Sequence, residues 1–437
     1  MSCTPNSTVI RFPYEDVEPL AIDAKLSVDF FDLPQGIPDA DEDEIISRAL
    51  ASPIGTANLE HLSRGKHRVL IVVDDVTRPT PVRRFVHKIL ESIHAAGVEK
   101  HKITFITSLG THRPMTRKEM AAKLGEKVVE EYRCENHNWR DPDSLEYLGE
   151  TEQGIPVWIN KIVRQSDLVI GIGSIMPIDI CGYTGGGKIL VPGLSGPETV
   201  NKMHWNRIDV PSSRVIGHRD NTIRHSIDAL ARKAGLDFVL DVITDANERI
   251  LDAVAGDMVE AHRNGCRRAA KRFKVQFEKE YDIVVSDSYP FGIEFWQANK
   301  ALDMAAHFVK KGGVIILIAP CPEGWSRTHK EEILKFGYRR ISDIKSLVAN
   351  GEIKHSVVGV HMYQVSEAAV EKGRLILVSG GLPEEEVTRV GFMWSRTPEA
   401  AFLRALELVP PEPDIAVVRN AARMIPVPTG EAASPAI

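Results

Sequence analysis

Seven short apolar runs, rich in β-branched residues, punctuate the chain: 68–73 (RVLIVV), 102–106 (KITFI), 167–172 (DLVIGI), 281–285 (YDIVV), 313–318 (GVIILI), 374–378 (RLILV) and 414–418 (DIAVV). They are nearly continuous in hydrophobicity rather than alternating, as strands are when helices cover both faces of their sheet. Amphipathic stretches lie between them, at 82–96 and 226–233, together with 257–274, which has a charged face. Strand–helix alternation of this kind predicts an α/β protein with mostly parallel sheets. The charged segment 257–280 shows no strand pattern before a new series starts at Tyr281. We therefore expect two α/β domains, an N-terminal one over 1–275 and a smaller C-terminal one over 280–405, with the active site in the cleft between them. The tail, 410–437, adds a strand and an apolar helix (420–425) that could pack back on the first domain, and its last eight residues read as a frayed end.

Composition narrows the function. The 437 residues carry a formal charge of −6, are 26% charged and only 6% aromatic. Without a basic block or aromatic platforms, nucleic acid is not an expected partner, nor is a membrane surface. No apolar run approaches the ~20 residues that span a bilayer, and the N-terminus lacks a signal-peptide core. The five cysteines, Cys3, Cys134, Cys181, Cys266 and Cys321, are scattered and never form CxxC. That pattern fits reduced thiols and a cytoplasmic enzyme.

Ligands in open α/β sheets gather at the carboxyl ends of strands, so the segments that follow the runs carry the chemistry. After 68–73 comes Asp74-Asp75-Val76-Thr77-Arg78-Pro79, two carboxylates, a hydroxyl and an anion-binding guanidinium. The same residues could also be a solvated, capped loop. After 102–106, Gly110 turns the chain and delivers His112, a titratable acid or base. The segment Gly182-Tyr183-Thr184-Gly185-Gly186-Gly187-Lys188-Ile189 satisfies GxxxxGK, but Ile189 replaces the magnesium-binding hydroxyl and Pro192-Gly193 stops a helix. The nucleotide-triphosphatase reading fails. A glycine-rich loop that something large can approach remains, with one Lys at its centre suited to covalent or anion-binding work. His204 follows sixteen residues later. In the second domain Gln297 and Lys300 share a helical face and can address one anion, unless they are an ordinary polar pair. No HExxH, paired-cysteine or EF-hand pattern is present.

Taken together, DDxTRP, GTHRxMT, GGxKxxxPG, the His sixteen after the Lys and WQxxK, in that order over about 70–300, resemble the catalytic subunit of lactate racemase. That family comprises nickel-dependent 2-hydroxyacid racemases and epimerases. The resemblance implies a nickel pincer nucleotide, a pyridinium mononucleotide that binds Ni(II) through sulfur, carbon and sulfur. Lys188 would be its covalent attachment and His204 the protein's ligand to nickel, a near-planar four-coordinate set. It further implies Asp75, Gly186 and Gly187 at the nucleotide, and Arg78, Gln297 and Lys300 on the substrate carboxylate. His112 would be a general base. The substrate would be a small 2-hydroxy acid, oxidised transiently by hydride transfer to the cofactor and reduced again on its other face. Enzymes that build the cofactor would be required partners.

The sequence departs from the family at one position. A second catalytic His is expected ten residues before the Lys, and Ile178 stands there. Isoleucine cannot transfer a proton, which points away from plain lactate. Asp179 is the candidate second base, and His361 is a further unassigned one. The alternative is a cofactor-binding family member without racemase activity, a carrier or sensor.

Overall fold

The computed structural model describes residues 7–429 except 35, 37, 39 and 211; Cys3 and the tail end, 430–437, lie outside the described residues. The chain forms two compact units, one of residues 35–272 and one that joins 1–34 to 273–433.

In the 35–272 unit the apolar runs become the strands Val69–Asp74, Ile103–Ser108 and Leu168–Ser174, each buried along most of its length. The six-stranded sheet runs Ile250–Gly256, Phe238–Thr244, Leu168–Ser174, Val69–Asp74, Ile103–Ser108, Arg133–Asn136 in spatial order. All neighbours are parallel except the first pair. Chain order reverses between Val69–Asp74 and Leu168–Ser174. That reversal opens a crevice at the strand ends, where α/β folds bind ligands. Ile71, Val73, Ile170, Ile172 and Leu240 share one apolar core with Val86, Ile89 and Ile93 of the helix Val86–Ala95.

In the second unit a wholly parallel sheet runs Met393–Ser395, Arg374–Val378, Val309–Ile318, Tyr281–Asp287, Ile415–Val418, Val28–Phe31. The carboxyl end of Tyr281–Asp287 leads toward the helix Phe295–Ala305, which carries Gln297 and Lys300.

Four expectations are corrected. The described part of the tail does not return to the first domain: Ile415–Val418 pairs with Tyr281–Asp287 in the second unit's sheet. Residues 7–34 also belong there, because Val28–Phe31 forms that sheet's edge beside Ile415–Val418. The apolar helix expected over 420–425 is a single 3-10 turn, Ala421–Arg423, since Ile425–Pro428 is drawn into a parallel pair with Lys274–Phe277. That pair also places a strand in the segment thought to have none. Among the described residues no helix is long and apolar enough to cross a membrane.

Candidate active site

Three strand ends of the 35–272 unit supply the candidate residues. At the end of Val69–Asp74 the loop folds on itself. Thr77 donates through its backbone N–H (3.1 Å) and hydroxyl (2.5 Å) to Asp75 Oδ1. Asp74 accepts from the Thr80 hydroxyl and pairs with Lys123 Nζ at 2.6 Å, which also donates to the Arg78 carbonyl at 2.8 Å. The capped-loop reading is therefore right about the turn, while Arg78 stays only partly buried beside it, its Nη1 on the Thr77 hydroxyl at 2.8 Å.

At the end of Ile103–Ser108, Gly110 (φ 55°) turns the chain and His112 arrives against Asp75, its Nδ1 2.7 Å from Asp75 Oδ2. A carboxylate can only accept, so Nδ1 carries the hydrogen and Nε2 is left as the basic nitrogen. Burial alone would push the Asp75 carboxyl up, but the imidazole, Arg78 and Thr77 outweigh it and hold the carboxyl well below its usual range. Both oxygens expected at a ribose thus have protein partners, and Asp75 orients His112. The His112 loop is held in turn by Trp139 Nε1, which donates to the His112 carbonyl at 2.9 Å. Asn136 bridges both backbone groups of Met115 at 2.9 Å. A capping box, Thr116 with Glu119, starts the next helix, and Arg113 grips Glu119 at 2.7 and 2.9 Å.

The third strand, Leu168–Ser174, leads into the hairpin Pro177–Ile178/Gly182–Tyr183 and then the loop with Lys188. Ile178 is buried. Asp179, at the hairpin turn, is 6% exposed, and its Oδ2 has no hydrogen-bond partner among the described residues. The loop lies against the second strand's end: Ser108 donates to the Ile189 carbonyl at 2.9 Å and the Gly110 N–H to the Gly193 carbonyl at 2.8 Å.

The loop's glycines make room for the protein's own packing, a use that the sequence does not reveal. Gly185 and Gly186 have φ of 80° and 58°, and an added Cβ would sit 2.9 Å from the Asp241 carboxylate or 2.8 Å from the His262 ring. Gly187 backs onto Ala231. Three buried side chains clamp this backbone from behind. Arg224 donates to the carbonyls of Gly185 (3.1 Å) and Tyr183, Asp241 accepts the Gly186 N–H at 2.8 Å, and His262 Nε2 donates to the Thr184 carbonyl at 2.9 Å. None was singled out in the sequence. They come from a helix, a strand and a second helix, 39 to 78 residues from the carbonyl or amide they hold, and no local pattern announces them.

On this frame Lys188 is partly buried, and burial, then the nearby Arg78 charge, lowers its amine to about 8. A lysine so shifted is neutral and nucleophilic far more often than a surface one. His204 sits on the helix Pro197–Trp205 with Nδ1 2.7 Å from the Val200 carbonyl. That bond keeps the hydrogen on Nδ1 and presents Nε2 as a lone pair, the state a metal ligand needs. Burial foremost, with the charges of Lys188 and His112, lowers His204 to about 4. Asp75, Arg78, His112, Lys188 and His204 therefore lie within one another's fields. In the second unit Lys300 Nζ donates to the Gln297 carbonyl oxygen and lies 5.1 Å over the Phe291 ring; Gln297 is buried. His361 is tied at both nitrogens, to Asn299 (3.0 Å) and the Tyr338 hydroxyl (2.9 Å), and stacked on Trp296. Burial lowers it to about 3, so it is a packed neutral histidine.

Comparison with known proteins follows the same residues. Residues 15–215 match the lactate racemase N-terminal domain and 276–425 the lactate racemase C-terminal domain. A lactate racemase of Thermoanaerobacterium thermosaccharolyticum is 32% identical over 286 residues, 65% of this chain and 67% of that protein. The chain belongs to the lactate racemase family. It is accordingly an isomerase. The lactate racemase of Lactiplantibacillus plantarum is equally similar, 32% over 286 residues, with the same shares of the two chains. The structure of the Thermoanaerobacterium thermosaccharolyticum lactate racemase apoprotein superimposes with a TM-score of 0.81 at 27% identity, over 96% of this chain and 100% of that one. A Thermotoga maritima protein shares the fold, with a TM-score of 0.71 at 20% identity over 85% and 97% of the two chains.

The clamp predicts a pH signature. Burial, against the Gly186 N–H and Arg224, raises Asp241 from 3.8 to about 7. A carboxyl raised in the folded state contributes stability that is full below pH 3.8 and is lost as pH rises through 7, roughly 4 kcal/mol in all. Asp241→Asn keeps an acceptor for Gly186 and removes the titration. Its stability relative to wild type, from urea midpoints between pH 4 and 8, should rise by most of that amount. A constant difference across the range would show that Asp241 does not titrate there.

Proposed function

We propose that this isomerase interconverts the configurations of a 2-hydroxy acid, other than plain lactate, with a nickel pincer nucleotide bound at Lys188 and His204. The observation that carries the reading is the pairing of a depressed lysine amine with a histidine whose Nδ1 is locked to a backbone carbonyl, inside the field of the Asp75–His112 pair. These groups fit the cofactor: Lys188 Nζ is suited to form the covalent link and His204 Nε2 to bind a borderline metal. When bound, the group would supply the acceptor for the α-carbon's hydride, chemistry that no side chain can perform.

The protein's own part is orientation and proton transfer. Arg78 offers a guanidinium to the substrate carboxylate, and Gln297 and Lys300 are assigned to the same anion. His112 Nε2 takes the hydroxyl proton, and the buried Asp75 carboxylate stabilises the imidazolium that forms. Asp179, with an unbonded buried oxygen, is assigned the proton on the other face, since Ile178 has none to give.

The test is co-production with cofactor-making enzymes. Intact-mass spectrometry should show an adduct and elemental analysis one nickel per chain; Lys188→Ala should lose the adduct and His204→Ala the nickel. An unmodified wild-type chain would sink the cofactor assignment. A loaded chain that leaves the optical rotation of a panel of 2-hydroxy acids unchanged would instead favour a carrier or sensor.

A further inference from the structure

Away from these residues, the second unit brings together three side chains that the reaction does not use. His329 immediately precedes the helix Lys330–Phe336, Glu332 lies in that helix's first turn, and His355 immediately precedes the helix Ser356–Ser366. One nitrogen of each histidine and one carboxylate oxygen all lie within 4.8 Å of one another. We infer that His329, Glu332 and His355 form a second metal site, for a borderline divalent ion of the zinc class, that ties the starts of these two helices together.

The donor set decides the class of ion. Two imidazoles and one carboxylate suit Zn(II) and its neighbours, whereas calcium and magnesium select oxygen cages. Three protein ligands also leave a fourth position for water. Zinc bonds of about 2.0–2.1 Å at tetrahedral angles put ligand atoms about 3.3 Å apart. The present spacing brackets that figure: His355 Nδ1 is 2.8 Å from Glu332 Oε2, and the whole set closes within 4.8 Å. Shifts of about an ångström would bring the ligand atoms to that spacing.

The ligands are also aimed. Glu332 Oε1 accepts the Lys354 N–H at 2.8 Å, which turns Oε2 toward His355. The buried ring of His329 lies against Trp296 at 4.8 Å and 5.8 Å from the ring of His355. Outer contacts of this kind orient metal ligands in known sites. His355 is 47% exposed and Glu332 18%, so an ion has an entry path and one face is already protected from water. A plain ion pair would need only His355 and Glu332; the buried third donor is what a metal explains.

The site is independent of the proposed cofactor, and its test keeps the two apart. Untagged full-length protein made without cofactor enzymes, stripped by chelator, is titrated with Co(II) as a coloured stand-in and then challenged with Zn(II). The expected result is one saturable visible band per chain, bleached by Zn(II), kept in His204→Ala and weakened at least about tenfold in His355→Ala. Glu332→Gln, which still accepts the Lys354 N–H, should weaken binding as well and guards against misfolding of the histidine variant. No saturable band, a band indifferent to both substitutions, or one lost with His204→Ala would each overturn the assignment.

Discussion

Replacing His112 by Asn lowers kcat/KM for interconversion of the 2-hydroxy acid by about 10²- to 10⁴-fold, the usual worth of a positioned base, while the adduct on Lys188 stays in place. The amide keeps a hydrogen-bonding group beside Asp75 but cannot take a proton. Asp75→Asn should fall by a comparable factor with little change in KM. Its amide no longer dictates that Nδ1 carries the hydrogen, and the imidazolium loses the negative charge 2.7 Å away. Asp179→Asn is the matching variant for the other face. Chiral chromatography gives the rate in each direction, and the isotope effect of an α-deuterium reports the carbon centre. If His112→Asn kept its rate within about threefold, the base would lie elsewhere and the Asp75 pair would be structural.

Much of this was legible because it is local. A strand buried on both faces must be apolar throughout, so Val69–Asp74 and Arg374–Val378 stand out at once. The groups at strand ends are adjacent in sequence, so Asp75 with Arg78, and Gly110 with His112, could be read as units. What failed was long-range or mixed in composition. Phe238–Thr244 and Ile250–Gly256 carry no such signal: each holds an Asp among its apolar residues, and they pair antiparallel as a sheet edge. The placement of Val28–Phe31 beside Ile415–Val418 depends on contacts almost four hundred residues apart, which no periodicity encodes. The glycine loop shows the same limit in the site. Its glycines could be seen, but the reason for them could not, since Asp241 and His262 approach from elsewhere in the fold.

That hidden clamp carries the second large effect. Arg224→Met should destabilise the 35–272 unit by about 3–5 kcal/mol, the range for removing one partner of a buried charged network. Arg224 is fully buried, and its loss leaves the carbonyls of Tyr183 and Gly185 without their donor and removes the cation beside Asp228 at 3.8 Å and near Asp241. Methionine fills similar volume, so the effect reads charge and hydrogen bonding rather than a cavity. Urea denaturation gives the stability, and intact mass after co-production gives the adduct on Lys188. A clamp that positions the lysine predicts loss of adduct even under conditions where the variant remains folded. Arg224→Lys should recover stability in part, because one ammonium can reach only some of the acceptors that a guanidinium fork spans. A variant that stays fully loaded and loses less than about 1 kcal/mol would mean that the loop holds its shape without the clamp.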